Sequence, residues 1–182
     1  VEKVASQPRY VVKTHDCYSS AVGRALYIIR DPVDVLESYF RYHAKVYSPE
    51  PSIEDFAIDA VSGRVWPCSW SEHVMSWTSP SREGVEALRY EDLVVRSEKA
   101  IIVLAQIFEI EEEEVLSALQ ALDKESMKIL EQKGNRKNLE RAGNQWFVGG
   151  VASDANKDVI RKSIRVYRPE IADLAAKHGY DF

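Results

Sequence analysis

Cysteine is nearly absent from this chain: Cys17 and Cys68 are the only two among 182 residues. Two thiols cannot build a disulfide framework, and a reducing cytoplasm is the expected setting. Histidine is almost as sparse. His15, His43, His73 and His178 make no HxxH or HExxH pattern, so no metal site is expected. No apolar run approaches the ~18 residues of a membrane-spanning helix, and the opening VEKVASQPRY lacks the apolar core of a signal peptide. Positive charge is in deficit too, with 24 Lys and Arg against 29 Asp and Glu and a net charge of −5. That balance argues against general nucleic-acid binding and leaves room for a local cationic pocket. Internal repeats and low-complexity segments are missing as well.

What is present suits a globular protein: 45% of the residues are apolar and 29% charged, and the length allows one domain with a substantial core. RYVVKT (Arg9–Thr14), ALYIIR (Ala25–Arg30) and VEALRY (Val85–Tyr90) read as strands. The first two are continuously apolar, as in a parallel sheet covered on both faces. After the second, Pro32 suits a first helical turn, and Val35, Leu36, Tyr39, Phe40 and His43 recur at helical spacing. Ser52-Ile-Glu-Asp55 resembles a capping box that opens a helix through Val61, with Ile53, Phe56, Ala57 and Ala60 on one face. The tryptophan-rich stretch Trp66–Trp77 mixes loop and helix. Glu91-Asp-Leu93 turns the chain into a helix ending near Phe108. The acidic run Glu109–Glu114 is a solvated helix start, continued over Val115–Leu122. Residues 134–150 read as a long basic loop. Helices over Asp154–Val166 and Pro169–His178 follow, and Gly179 stops the last one. Strands alternating with helices give an α/β fold, yet three strands make a small sheet.

In an α/β sheet ligands bind beyond the carboxyl ends of the strands, and all three strands end in polar residues. Arg30 at a strand end and Ser38 two turns into the following helix could bind a phosphate monoester together with helix amides. An arginine at such a corner is more often an ion-pair residue, with Asp31 or Asp34 as partner. His15, two residues beyond Lys13, is a candidate general base beside a cation, or a solvated loop histidine. Trp66, Trp70 and Trp77 suit core packing with their N–H groups paired. Tyr90 and Met127 could stack on a base or be buried. Arg136, Lys137 and Arg141 form either a phosphate-binding segment or a solvated loop.

Taken in order, four segments resemble the sulfotransferases that use 3′-phosphoadenosine-5′-phosphosulfate (PAPS). VVKTH (11–15) is similar to the family's strand with a catalytic histidine, and YIIRDPVDVLESYF (27–40) to its 3′-phosphate motif. SWSEHVMSW (69–77) resembles the G-S-W-x-x-H-V-x-x-W region, with Cys68 in place of the glycine. ALRYEDL (87–93) resembles the L-x-Y-E-D-L strand and turn. The resemblance covers roughly residues 9 to 182 and implies a P-loop-NTPase-like three-layer α/β domain with a central parallel sheet flanked by helices. It implies one sulfotransferase-like domain over 1–182, and PAPS as co-substrate with 3′-phosphoadenosine-5′-phosphate (PAP) as product. No metal and no nucleic acid enter. His15 would be the base for a small-molecule hydroxyl, and Lys13 would offset charge on the transferring sulfuryl group. Arg30 and Ser38 would hold the 3′-phosphate. Tyr90, with Ser126 and Met127 of the KESM segment, would lie by the adenine.

Two segments depart from the family pattern. The family's P-K-[ST]-G-[ST]-[ST] phosphosulfate loop has no counterpart, and the N-terminal βα portion is expected to be missing from these 182 residues. A chain without that loop is expected to be inactive by itself. The R-K-G-x-x-G-x-W loop is met only by RAGNQW (141–146) and FVGGVASD (147–154); Arg141 is the first choice for the phosphate, with Arg136 and Lys137 as alternatives. Two other functions compete: a degenerate domain that binds PAP or a partner without turnover, and an ATP-using kinase-like enzyme. The missing Walker motif and the Arg30/Ser38 pair count against the latter.

Overall fold

A computed structural model describes residues 11–46, 51–65, 67–121 and 152–181. The described elements run β1 (Ala25–Ile29), α1 (Pro32–Val46), α2 (Ile53–Val61), α3 (Trp70–Thr78), β2 (Val85–Arg89), α4 (Tyr90–Val94), α5 (Glu98–Phe108), α6 (Glu112–Ala121), α7 (Asp154–Tyr167) and α8 (Glu170–Lys177). β1 and β2 pair in parallel, with Ala25 opposite Val85 and Ile29 opposite Arg89. The chain is therefore α/β, with helices packed about a parallel pair. Gly84 sets the start of that register. Its carbonyl accepts from Ala25 N at 3.0 Å, its φ is +75°, and a Cβ there would stand 3.1 Å from the Gly23 carbonyl. Only glycine takes that backbone and that closeness without strain.

The expected strand over Arg9–Thr14 is not formed in its described part. Residues 11–14 have no regular structure, and Val11 and Val12 are 77% and 83% exposed. β-branched residues favour a strand only where a neighbouring strand completes the hydrogen-bond ladder and covers their side chains. No described strand does so here. The expectation of doubly covered strands also fails at Ile28, which is 47% exposed.

Two apolar clusters lie on either side of the strand pair. The larger joins Ile29 of β1, Val33 and Leu36 of α1, Phe56 and Val61 of α2, Trp70 and Val74 of α3, and Ile160, Ile164 and Ile171 of α7 and α8. The smaller joins Leu88 of β2 to Ala100, Ile101 and Leu104 of α5 and Val115 of α6. Local chemistry starts the helices. Asp31 Oδ1 accepts from Val33 N (2.7 Å) and Asp34 N (3.0 Å). Ser52 accepts from Asp55 N, and Ser69 with Glu72 completes a full capping box on α3. Each satisfies amides that a helix start leaves unpaired. The single helix expected from Glu91 to near Phe108 is two. Arg96 takes φ +54°, which breaks the ladder, and Ser97 then caps α5 through Ala100 N. Gly179 (φ +78°) ends α8 as expected.

Candidate functional site

The carboxyl ends of β1 and β2 lie side by side, so Arg30 and Tyr90 each follow the last residue of a strand. The Arg30 guanidinium carbon lies 4.6 Å from the centre of the Tyr90 ring. This is a cation–π contact between two residues 60 positions apart in sequence. Together with Asp34, Glu91, Val94 and Val95 they line an open cavity of about 230 Å³. Arg30 Nε is buried there with no hydrogen-bond partner among the described residues. Buried N–H groups are nearly always paired, so an arginine donor left over beside a cavity fits an oxygen acceptor brought by a ligand.

Of the two carboxylates that could pair with Arg30, Asp31 is committed to capping α1. Asp34 stands 3.5 Å from the guanidinium and 2.6 Å from Lys157 Nζ. Burial pushes the Asp34 carboxyl up, but Lys157 and Arg30 more than offset this and hold it below the usual range. The Arg30–Asp34 pair is about one-third exposed, so water screening leaves it worth little by itself. Lys157 was not legible as a neighbour of this corner, because α7 follows it by more than a hundred residues. Glu37 anchors the same helix: almost wholly buried, it accepts from Ser153 N (3.1 Å) and Arg41 Nε (3.0 Å). Ser38 is half-buried on α1 and is not among the residues lining the cavity.

Tyr180 fixes the corner from below. Its hydroxyl lies 3.0 Å from the Ile29 carbonyl and 2.8 Å from Glu91 Oε2, and its ring lies under the Arg89 guanidinium at 4.6 Å. Burial first, and the Glu91 carboxylate next, push the Tyr180 hydroxyl up, so it stays a donor. Arg30 and Tyr90 are thus each bonded, through an adjacent residue, to one buried phenol.

Lys13 and His15 lie elsewhere, on the exposed segment without a strand. Helix α3 holds that segment by its backbone. His73 Nε2 donates to the His15 and Asp16 carbonyls, both at 3.2 Å, and Trp77 Nε1 donates to the Asp16 carbonyl at 3.0 Å. With Nε2 as the donor, His73 Nδ1 accepts from the Tyr27 hydroxyl at 3.0 Å. Burial keeps His73 below the usual histidine range, which suits that neutral form. The His15 imidazole is lowered too, by desolvation first and the Lys13 ammonium second, while Asp16 acts oppositely. A neutral imidazole can accept a proton at neutral pH. One turn back on α3, Trp70 Nε1 donates to the Arg30 carbonyl at 3.1 Å. Residues 70, 73 and 77 share one helix face, and that face grips both the Arg30 corner and the His15 segment.

The tryptophan expectation holds for Trp70 and Trp77, both buried with paired N–H groups. His73 as a backbone clamp was missed; its signal was the four-residue step to Trp77. Trp66, Ser126, Met127, Arg136, Lys137 and Arg141 lie outside the described residues. Among the described residues no three His, Cys, Asp or Glu side chains gather as a metal group, and no helix is long and apolar enough to cross a membrane.

Comparison with known proteins gives consistent matches. The family profile of the sulfotransferase domain matches residues 3–155. An amine sulfotransferase from Oryctolagus cuniculus is 24% identical over 174 residues, which are 87% of this chain and 58% of that protein. A 3-beta-hydroxysteroid sulfotransferase from Cavia porcellus is 32% identical over 80 residues, 42% of this chain and 28% of its own length. The chain thus spans well under two-thirds of these relatives. The crystal structure of mouse sulfotransferase SULT7A1 complexed with PAP superposes with a TM-score of 0.55 at 19% identity, covering 86% of this chain and 63% of that one.

Proposed function

Because this chain belongs to the sulfotransferase domain family, we propose that it serves transfer of a sulfuryl group from PAPS to the hydroxyl of a small-molecule acceptor. The observation that carries this reading is the buried Arg30 Nε, without a partner among the described residues, beside Tyr90 at the joined strand ends. PAPS supplies an activated sulfuryl group and, in its 3′-phosphate, a dianion that ATP lacks. Arg30, assisted by Ser38, binds that phosphate, and Tyr90 contacts the adenine. Ser126, Met127 and one of Arg141, Arg136 and Lys137 complete the nucleotide site in this proposal.

The His15 imidazole accepts the acceptor hydroxyl's proton as its oxygen bonds to sulfur and the bond from sulfur to the phosphate oxygen breaks. Lys13 offsets charge on the sulfuryl oxygens. Catalysis here rests on positioning and electrostatics, with no metal in the scheme.

Calorimetry with PAP and with adenosine-5′-phosphosulfate, which lacks the 3′-phosphate, tests the nucleotide assignment. Arg30→Ala is expected to weaken PAP by about 10- to 150-fold, the equivalent of losing ~1.5–3 kcal/mol of charged hydrogen bonding. Binding of the second ligand should scarcely change. Equal losses would make Arg30 structural, and a wild-type protein that ignores PAP would overturn the reading.

A further inference from the structure

The two cysteines are far apart in sequence and adjacent in space. Cys17 Sγ and Cys68 Sγ stand 2.7 Å apart across a separation of 51 residues, and both side chains are half-buried. Each is held by bonds that do not involve the other. Cys17 is flanked on one side by the Asp16 carbonyl, which accepts from His73 and Trp77. On its other side Tyr18 N donates to Ser76 Oγ at 3.1 Å, and the Tyr18 ring meets Trp77 edge-on at 5.4 Å. Cys68 immediately precedes Ser69, the fully buried cap of α3, whose amide and hydroxyl both donate to Glu72. Two thiols brought together by independent anchors are preorganised to bond, since closing the link needs a sulfur movement of under about 1 Å.

We propose that Cys17 and Cys68 form a reversible disulfide that clamps the His15 segment onto the start of α3, with a low-molecular-weight disulfide such as oxidised glutathione as the oxidant. Cys17 is the entry point. The Cys68 thiol is pushed up to about 12, by burial first and then by its hydrogen bond with Cys17, the Cys17 charge and Glu72, so it is a poor first nucleophile. The Cys17 thiolate attacks one glutathione sulfur, giving a mixed disulfide and releasing one glutathione thiolate. With Cys17 no longer charged or hydrogen-bonded to it, the Cys68 thiol gives up its proton more readily. Its sulfur then attacks that of Cys17 and expels the second glutathione. Two protein thiols and one oxidised glutathione become one protein disulfide and two reduced glutathiones. The pair does not depend on which reaction, if any, His15 serves.

The test is incubation of the full chain in mixtures of reduced and oxidised glutathione, followed by thiol blocking, trypsin digestion and mass spectrometry. Cleavage after Lys13, Arg24, Arg64 and Arg82 places the cysteines on peptides 14–24 and 65–82. The expected product is those two peptides cross-linked, rising with the oxidised fraction and lost on adding dithiothreitol. Cys68→Ser should stop at a single glutathione adduct on Cys17, and Cys17→Ser should react at least several-fold more slowly than wild type. Separate glutathione adducts on both wild-type peptides, or blocked thiols under every mixture, would overturn the disulfide. A Cys17→Ser protein that reacts as fast as wild type would overturn the order of attack.

Discussion

The Arg30 corner and the His15 segment are held in opposite ways. Arg30 and Tyr90 continue two paired strands, with Ile29 and Leu88 buried beneath them and Tyr180 bonded below. His15 sits on exposed chain whose backbone is gripped by side chains of one helix. The first arrangement draws its rigidity from burial and sheet pairing, the second from a few polar bonds that water can replace. The proposed nucleotide anchor on the sheet and the proposed proton acceptor on a tethered strap can therefore fail separately.

The largest expected effect tests that separation directly. In the protein carrying this chain, His15→Ala should lower sulfuryl transfer by roughly 10²- to 10⁴-fold, the usual range for a general base, and leave PAP affinity within about twofold. Loss of both together would merge the two regions into one unit, and unchanged turnover would remove His15 from the base role.

A smaller effect is expected from two matched substitutions. Trp77→Phe and Tyr180→Phe each remove a buried donor and should cost about 1–3 kcal/mol in urea unfolding. They should differ at Lys13, where trypsin cuts several-fold faster in Trp77→Phe and at the wild-type rate in Tyr180→Phe. Equal exposure of Lys13 in both would erase the contrast between strap and sheet.

The smallest effect is a pH dependence. His15, His43, His73 and His178 are all lowered from 6.5, with burial as the leading cause in each. Below pH 6.5 the unfolded chain therefore binds more protons than the folded one, and stability falls as pH drops toward the lowered folded values. Unfolding free energies between about pH 8 and about pH 5 should decline on the acid side, by at most roughly 1.4 kcal/mol per pH unit for each group. A flat profile would mean that these rings are not held neutral, His73 included, and would weaken its assignment as the clamp.

The sheet half of the site was legible in the sequence because its determinants are local. An apolar run, an Asp-Pro helix start and the Ser52 cap act within a few residues, and they appear in the structure where the pattern put them. The His15 half was legible only as a residue type. RYVVKT has strand composition, but a strand exists through its neighbour, and composition does not supply one. Lys157 and Tyr180 were hidden for a related reason. Each reaches the Arg30 corner from the far end of the chain, and nothing in its own surroundings signals where it docks. The break at Arg96 was missed because EDLVVRSEKA reads as continuous helix until one residue takes a left-handed backbone.

The Tyr180 bond to Ile29 spans 151 residues, almost the whole chain, and this bears on the order of folding. The chain entropy lost in closing so long a loop must be met before the contact repays it, and contacts of this range belong to slow-folding topologies. The strand pair and the capped helices can form from shorter-range contacts, with the C-terminal helices arriving afterwards to seal them. The Arg30 corner would then reach its final shape only as α8 and Tyr180 dock, making Tyr180 a late step of assembly as well as a support for Arg30.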